Sequence, residues 1–310
     1  MRNEFADALV ELAENDPRVV LLTGDLGFMV LECFSDRFPD RFFNVGVAEQ
    51  NMLGIATGLA DSGYVPFVYS IATFVSMRPY EFLRNGAILH DLPIRVVGVG
   101  GGFDYGHNGV THFALEDVGI LRVQPGLTVI APADAGQARS ALFATADLAR
   151  PIYFRVARED APVPGLDGRF ALGRVQVIGD GDDLAIVTLG TMAAPAVVAA
   201  DVLAEEGINA IVVVVPTFNP TPIEDLVDTL GRVPLALTAE AHYVTGGVGS
   251  VVAEVIAEHG LHCRLVRCGV TEMPKGISGS QEYLSEIYGL TAQDLVRTAQ
   301  RAARSQLQRR

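Results

Sequence analysis

Glu49 is the residue whose neighbours best equip it for chemistry. In Gly46-Val47-Ala48-Glu49-Gln50-Asn51-Met52 it stands at the mouth of an otherwise apolar helix. Upstream, Arg41-Phe42-Phe43-Asn44-Val45 reads as a short strand. Downstream, Met52, Leu53, Ile55, Ala56, Leu59 and Ala60 recur at helical spacing until Gly63. A carboxylate at a helix N-terminus is ordinarily a cap or a partner of the helix dipole. In apolar surroundings the same group can act as a proton handle. A second candidate is the loop Gly100-Gly101-Gly102-Phe103-Asp104-Tyr105-Gly106-His107-Asn108-Gly109-Val110-Thr111-His112. Its glycines let backbone approach a ligand closely. His112 is either structural or a proton-transfer group, a task that neutral histidine suits near pH 7.

The elements that must position these residues alternate between strand and helix periods. The first series reads as helix 4–15, strand 19–23, strand 42–45, helix 49–62, strand 65–69, helix 77–89, strand 95–99, helix 116–121, strand 128–130, helix 135–148 and strand 152–155. A second series has strands 184–189, 210–215, 235–238 and 263–267, with helices 193–206 and 248–259. Such alternation implies parallel sheets covered on both faces. The expected domains are residues 1–160 and 173–300, joined by a Pro- and Gly-rich linker over 161–172 and followed by a frayed tail over 301–310. In open α/β sheets ligands sit beyond the carboxyl ends of the strands. Asp25, Glu49, Ser70 to Tyr80, the glycine-rich loop and Arg158 all follow strands, so they can share one edge.

Bulk composition narrows the class. The 310 residues are 49% apolar, with 32 Gly and 16 Pro, enough for sizeable cores with many turns. A formal net charge of −14 argues against nucleic acid and anionic membrane as partners. Cys33, Cys263 and Cys268 are too few and scattered for a disulfide framework or a zinc site, so a reducing cytoplasmic setting is expected. No apolar stretch approaches membrane-spanning length, and no apolar run follows the N-terminal charge as a signal peptide requires.

Four motifs occur in order: Thr23-Gly24-Asp25-Leu26, Asn44-Val45-Gly46-Val47-Ala48-Glu49-Gln50-Asn51, Ala72-Thr73-Phe74 and Gly109-Val110-Thr111-His112. Together they resemble the C-terminal half of transketolase and of its relative 1-deoxyxylulose-5-phosphate synthase. The resemblance implies two consecutive doubly wound α/β domains. The first is a mostly parallel-sheet pyrimidine-binding domain for thiamine diphosphate. The second is a smaller transketolase C-terminal-type domain, matched down to the loop Ala239-Glu240-Ala241-His242 before Gly246-Gly247-Val248-Gly249-Ser250.

The resemblance also implies roles. The glutamate matching Glu49 hydrogen-bonds the aminopyrimidine ring, favouring the tautomer whose amino group removes the thiazolium C2 proton. Phe74, Met77 and Tyr80 match a wall on that ring, where transketolase has an aromatic at the Met77 position; ordinary core packing is the alternative. Asp25 and Leu26 match a loop approaching the cofactor from below, although Asp25 can equally cap a turn. His112 matches a histidine that contacts sugar and assists proton transfer. Arg2 and Arg158 match phosphate-binding arginines, for which guanidinium is suited, or are solvated surface charges. Two positions depart from transketolase: Asn108 stands where an acidic residue reads a donor hydroxyl, and Gly100 where a second substrate histidine stands.

Gly179-Asp180-Gly181 with Asn209 imitates the family's metal and diphosphate signature, but it precedes a strand rather than following one and reads as a hairpin-like turn. No metal ligand is therefore assigned to this chain. The implied function is that of the C-terminal subunit of a split enzyme, transferring a two-carbon unit from a ketose or 2-oxo acid donor to an aldehyde or carrier acceptor. An N-terminal-half partner subunit would hold Mg²⁺ and the diphosphate, with an α2β2 heterotetramer as minimal assembly. The β subunit of a 2-oxo acid dehydrogenase E1-like component and a catalytically silent scaffold subunit stay open as alternatives.

Overall fold

The structure, a computed structural model, describes residues 1–158 and 161–307. Its first half contains α1 (Arg2–Asn15), β1 (Val19–Thr23), α2 (Glu32–Arg37), β2 (Phe42–Asn44), α3 (Glu49–Asp61), β3 (Val65–Ile71), α4 (Ala72–Met77), the single turn α5 (Tyr80–Phe82), β4 (Arg95–Val99), α6 (Asp117–Arg122), β5 (Thr128–Ile130), α7 (Ala135–Ala144) and β6 (Ile152–Val156). The second half contains β7 (Gln176–Ile178), β8 (Leu184–Thr188), α8 (Ala193–Glu205), β9 (Ala210–Val214), β10 (Thr217–Asn219), α9 (Ile223–Leu230), β11 (Leu235–Tyr243), α10 (Val248–Glu258), β12 (Arg264–Val270), α11 (Gln281–Ile287) and α12 (Ala292–Leu307).

Two sheets result. The first has the order β10-β5-β6-β4-β3-β1-β2 and is parallel except for β10. The second, β12-β11-β8-β9-β7, is parallel except for β7. Strand residues alternate between two faces, as a period of two requires. Val20 and Leu22 of β1 join one core with Met52 and Leu53 of α3, while Val19 and Leu21 join another with Phe5 and Leu9 of α1. The first of these cores continues without a break into Val187, Val213, Phe218 and Val252 of the second half. A third core lies on the far side of the second sheet, under α8 and α12.

The structure moves several expected boundaries. The helix expected over 77–89 begins instead at Ala72, and Pro79 splits it; a wide turn over Leu83–Ile88 completes it. Ala239-Glu240-Ala241-His242 is not a loop but the buried end of β11. The strand expected at 263–267 runs over Arg264–Val270. The hairpin expected at Gly179–Gly181 does not form, because β7 pairs antiparallel with β9 rather than with its successor β8. Residues 301–307 continue α12 where a frayed tail is expected, since Ala299 and Ala302 pack under the second sheet; 308–310 lie outside the described residues. The segment after residue 160 is no free tether, because Val163 and Leu166 are buried and Val163 N–H donates to Asp134 at 3.0 Å. The expected boundary at 160 itself falls on Glu159 and Asp160, outside the described residues.

The two halves are locked by a buried polar network. Arg155 Nε donates to Asp117 at 2.9 Å, Tyr153 Oη donates to the same carboxylate at 2.7 Å, and Arg155 Nη2 reaches the carbonyls of Ala114 and Ala241. All three side chains are buried. Beside them His242 Nε2 accepts the Gly119 N–H at 3.1 Å while Nδ1 faces the Tyr243 carbonyl at 2.6 Å, an arrangement that suits the neutral Nδ1–H tautomer. Exchange of β10 extends the lock, since this strand of the second half pairs with β5 of the first. Replacing Asp117 by Ala leaves a buried guanidinium uncompensated. The expected loss is about 3–5 kcal/mol, read by urea denaturation, and near-neutral behaviour would show that the pair is dispensable.

Two groups at this junction titrate in opposite senses. Burial raises Glu240 to about 7 against the pull of the Gly249 and Val248 N–H groups, and burial lowers His242 to about 4. A carboxylate raised in the folded state makes stability fall as pH rises from about 4.5 to 7; a histidine lowered in the folded state makes stability rise between about 4 and 6.5. Each effect is on the order of 3 kcal/mol, so they nearly cancel where they overlap. In Glu240→Gln only the histidine contribution survives. Its unfolding free energy should therefore gain on wild type by roughly 3 kcal/mol from pH 4.5 to pH 7, measured by denaturant titrations across that window.

Candidate active site

The order of the first sheet reverses between β1 and β3, which makes the carboxyl ends of those strands the crevice where ligands bind. Glu49 arrives there from the β2–α3 connection. The residue is 2% exposed although it starts a helix. Ser70 Oγ, at the end of β3, donates to Oε1 at 2.9 Å, and Arg78 Nη1 donates to Oε2 at 2.8 Å. Gly24, at the end of β1, lies alongside: a Cβ there would stand 3.6 Å from Glu49 Oε1. The Ala48 N-cap makes no side-chain capping bond, and Glu49 is held by tertiary partners rather than by its own helix. The group opens onto a cavity of about 630 Å³ lined by Val47, Ala48, Gln50, Asn51 and Arg78.

From Glu49 a chain of contacts runs along the sheet edge. The Arg78 guanidinium lies 3.9 Å from the centroid of Phe74, with which it shares one face of α4 at i, i+4 spacing. The Phe74 ring meets His112 edge-on at 5.1 Å, and His112 meets Tyr105 at 6.3 Å. Arg158 caps the Tyr105 ring at 4.7 Å and is fixed by Asp104, whose carboxylate accepts the Arg158 N–H at 2.7 Å. The Arg2 N–H donates to the Ala157 carbonyl at 3.2 Å, which brings Arg2 beside Arg158. Both arginines act on Tyr69 and Tyr105, opposing the rise that burial imposes on each phenol. A carboxylate (Glu49), a histidine (His112) and three arginines (Arg2, Arg78 and Arg158) therefore converge on one edge from five separate segments.

The other expected residues divide. Asp25 is exposed in a left-handed turn (φ +59°); Asn44 receives its N–H at 3.1 Å and donates to its carboxylate at 2.9 Å. Asn44 Oδ1 also accepts the Gly46 N–H at 3.0 Å, so one amide ties the Asp25 loop to the turn that delivers Glu49. Leu26 packs instead into the core under α1. Met77 is 43% exposed. Tyr80 donates its hydroxyl to the Ile120 carbonyl at 2.9 Å and packs on the shared core, so its phenol is committed to α6. Asn108 is exposed on the short turn Gly106–Asn108. Asn44 lies within one of the motifs, and Ser70 and Arg78 lie in the segment Ser70 to Tyr80 that follows a strand, but none of the three carried an expected role. Only the i, i+4 spacing of Phe74 and Arg78 could have singled one of them out.

The Gly179-Asp180-Gly181 imitation does meet Asn209, but through backbone: Asn209 N–H donates to Asp183 at 2.9 Å, and a Cβ on Gly181 would lie 2.4 Å from the Asn209 carbonyl. Among the described residues no group of three or more His, Cys, Asp or Glu is arranged to hold a metal.

Gly100 explains one departure from the transketolase pattern. Its φ is +83°, and a Cβ would stand 2.2 Å from the Tyr105 ring, which fills the space a side chain at 100 would occupy. Gly100→Ala should cost about 2–4 kcal/mol by thermal unfolding, with part of the loss recovered in the Gly100→Ala, Tyr105→Ala double variant. Simple additivity of the two would mean that the ring does not own this space.

Comparison with known proteins agrees with this geometry. Residues 1–164 match the family model described as transketolase, pyrimidine binding domain, and residues 173–295 match transketolase, C-terminal domain. A protein of Methanocaldococcus jannaschii described as a transketolase C-terminal section is 35% identical over 96% of this chain and 94% of its own length. A 6-deoxy-6-sulfo-D-fructose transketolase subunit of Clostridium sp. is 36% identical over 96% and 93%. A split-gene transketolase solved as an inactive β4 tetramer superposes with a TM-score of 0.87 at 38% identity, covering 97% of each chain. With both family domains in sequence and a fold that brings Glu49, Phe74 and His112 to one sheet edge, the chain belongs to the transketolase family.

Proposed function

We propose that this chain is the C-terminal subunit of a split, thiamine-diphosphate-dependent transketolase, acting with a second subunit that carries the diphosphate-binding domain and Mg²⁺. The observation that carries the reading is the Glu49 carboxylate, buried yet opening onto a cavity at the β1–β3 switch point. The relatives described as a C-terminal section and as a transketolase subunit have nearly this chain's length, which supports a two-chain enzyme.

The site fits the aminopyrimidine half of the cofactor. The buried Glu49 carboxylate, oriented by Ser70, would accept from a ring N–H, the Phe74 ring lies one guanidinium away, and a Cβ on Gly24 would meet Glu49 and Ser70 only at ordinary van der Waals distance. When bound, thiamine diphosphate supplies a carbon nucleophile that the twenty side chains lack. This chain's own residues do the rest. Glu49 holds a proton at the pyrimidine ring, with Ser70 orienting its carboxylate. Phe74 packs on the ring and supports His112, which moves a proton at the substrate. Arg2 and Arg158 bind an anionic end of the substrate, with Asp104 fixing the Arg158 backbone. Two-carbon transfer from a ketose or 2-oxo acid donor to an aldehyde acceptor follows from the family, and an α2β2 assembly is the smallest that completes two sites.

The test is reconstitution. This chain, copurified with a candidate partner and titrated with thiamine diphosphate and Mg²⁺, should turn over, and Glu49→Gln should lower kcat by about 10²–10⁴-fold. Full activity in Glu49→Gln would reduce the residue to a structural group and favour a silent-subunit role. Turnover by the isolated chain would overturn the two-chain reading.

A further inference from the structure

Arg78 holds both groups that the reading above assigns to the pyrimidine ring. Its guanidinium donates to Glu49 at 2.8 Å and lies 3.9 Å from the centroid of Phe74. Guanidinium is a flat, cationic, nitrogen-rich plane with N–H donors along its edge. A protonated aminopyrimidine is likewise flat and cationic, with an N–H in its plane and a π-face. One planar group cannot share the Glu49 oxygen and the Phe74 face with another.

Physical necessity accounts for the arrangement. Glu49 is a nearly inaccessible carboxylate with one neutral donor, Ser70. Without a further partner its charge would be buried at high cost. Arg78 supplies that partner, yet its own side chain is 42% exposed and lines the cavity mouth. Its backbone closes α4 just before Pro79, and α4 itself is anchored by buried Val75. The head group can therefore swing to solvent by side-chain rotation alone, leaving α4 in place.

We propose that Arg78 is a built-in stand-in for the cofactor ring: it pairs with Glu49 and covers Phe74 while the cavity is open, and a bound aminopyrimidine displaces it to the rim. The inference rests on the assignment of Glu49 to the ring. Cofactor affinity then carries the cost of releasing Arg78, and that cost prevents the subunit from exposing a bare buried carboxylate before the cofactor arrives.

Calorimetric titration of thiamine diphosphate with Mg²⁺ into the reconstituted two-chain complex separates the possibilities. Arg78→Met removes the displaced group and should lower Kd about tenfold, while lowering the thermal midpoint of the cofactor-free protein. Arg78→Lys keeps the charge but loses the planar stack, and its Kd should fall between the two. Glu49→Gln should raise Kd about tenfold or more. A weaker Glu49→Gln with an unchanged or weakened Arg78→Met would overturn the stand-in and leave Glu49 on the ring. An unchanged Glu49→Gln would overturn both. If Arg78→Met does not fold, an unchanged Kd in Arg78→Lys overturns the stand-in by itself. A crystal structure of the loaded complex should show Arg78 turned out of reach of Glu49; a retained 2.8 Å contact would refute displacement.

Discussion

The buried pair of Arg155 and Asp117 is the interaction on which the arrangement of the two sheets depends. Arg155 rises from β6 of the first sheet, and Asp117 starts α6. A guanidinium removed from water must find several acceptors at once, and this one finds the carboxylate and the Ala114 and Ala241 carbonyls. The last of these belongs to β11 of the second sheet. Desolvation opposes and the Asp117 charge supports the protonated form, which stays favoured overall. Because every contact is directional, the pair admits one relative placement of the halves, whereas the apolar core around it would tolerate sliding.

That placement treats the two crevices differently. The second sheet also reverses its order, between β8 and β11, and so has a crevice of its own at Gly190 and Glu240. Arg155 reaches into it: a Cβ on Gly190 would stand 3.6 Å from Arg155 Nη1. The first half thus fills the crevice of the second. The crevice of the first half stays open at Glu49, flanked by the exposed side chains of Val47 and Arg78. Among the described residues, two similar folds therefore leave a single open switch point, and the Glu49 carboxylate is in it.

Glu49, Phe74, His112 and Arg158 were readable as a set because each follows a strand of one sheet, and parallel strands deliver their ends to one edge, whereas Arg2 opens α1 ahead of every strand and entered only through the resemblance. The contacts among them were not readable. Whether Glu49 caps its helix or faces a cavity turns on Ser70 and Arg78, which lie 21 and 29 residues away. Tyr80 shows the reverse. The resemblance places it on the wall with Phe74, but Pro79 breaks the helix between them and the Tyr80 hydroxyl bonds the Ile120 carbonyl of α6. Local periodicity does not anticipate a break that redirects a side chain.

The sequence by itself determined the alternation of elements, the parallel sheets and the edge on which polar residues gather, because hydrophobic period and turn chemistry are local properties of neighbouring residues. Antiparallel β7 and β10 escaped it, since short strands are assigned by the partner they find and β10 finds its partner in the other half. Glu240 and His242 escaped it as well, appearing as a loop when they are the buried end of a strand. Only the tertiary structure decided which carboxylate is covered and which is open. Burial and charge pairing are set by groups distant in the chain, and a sequence carries no distance between them until the chain has folded.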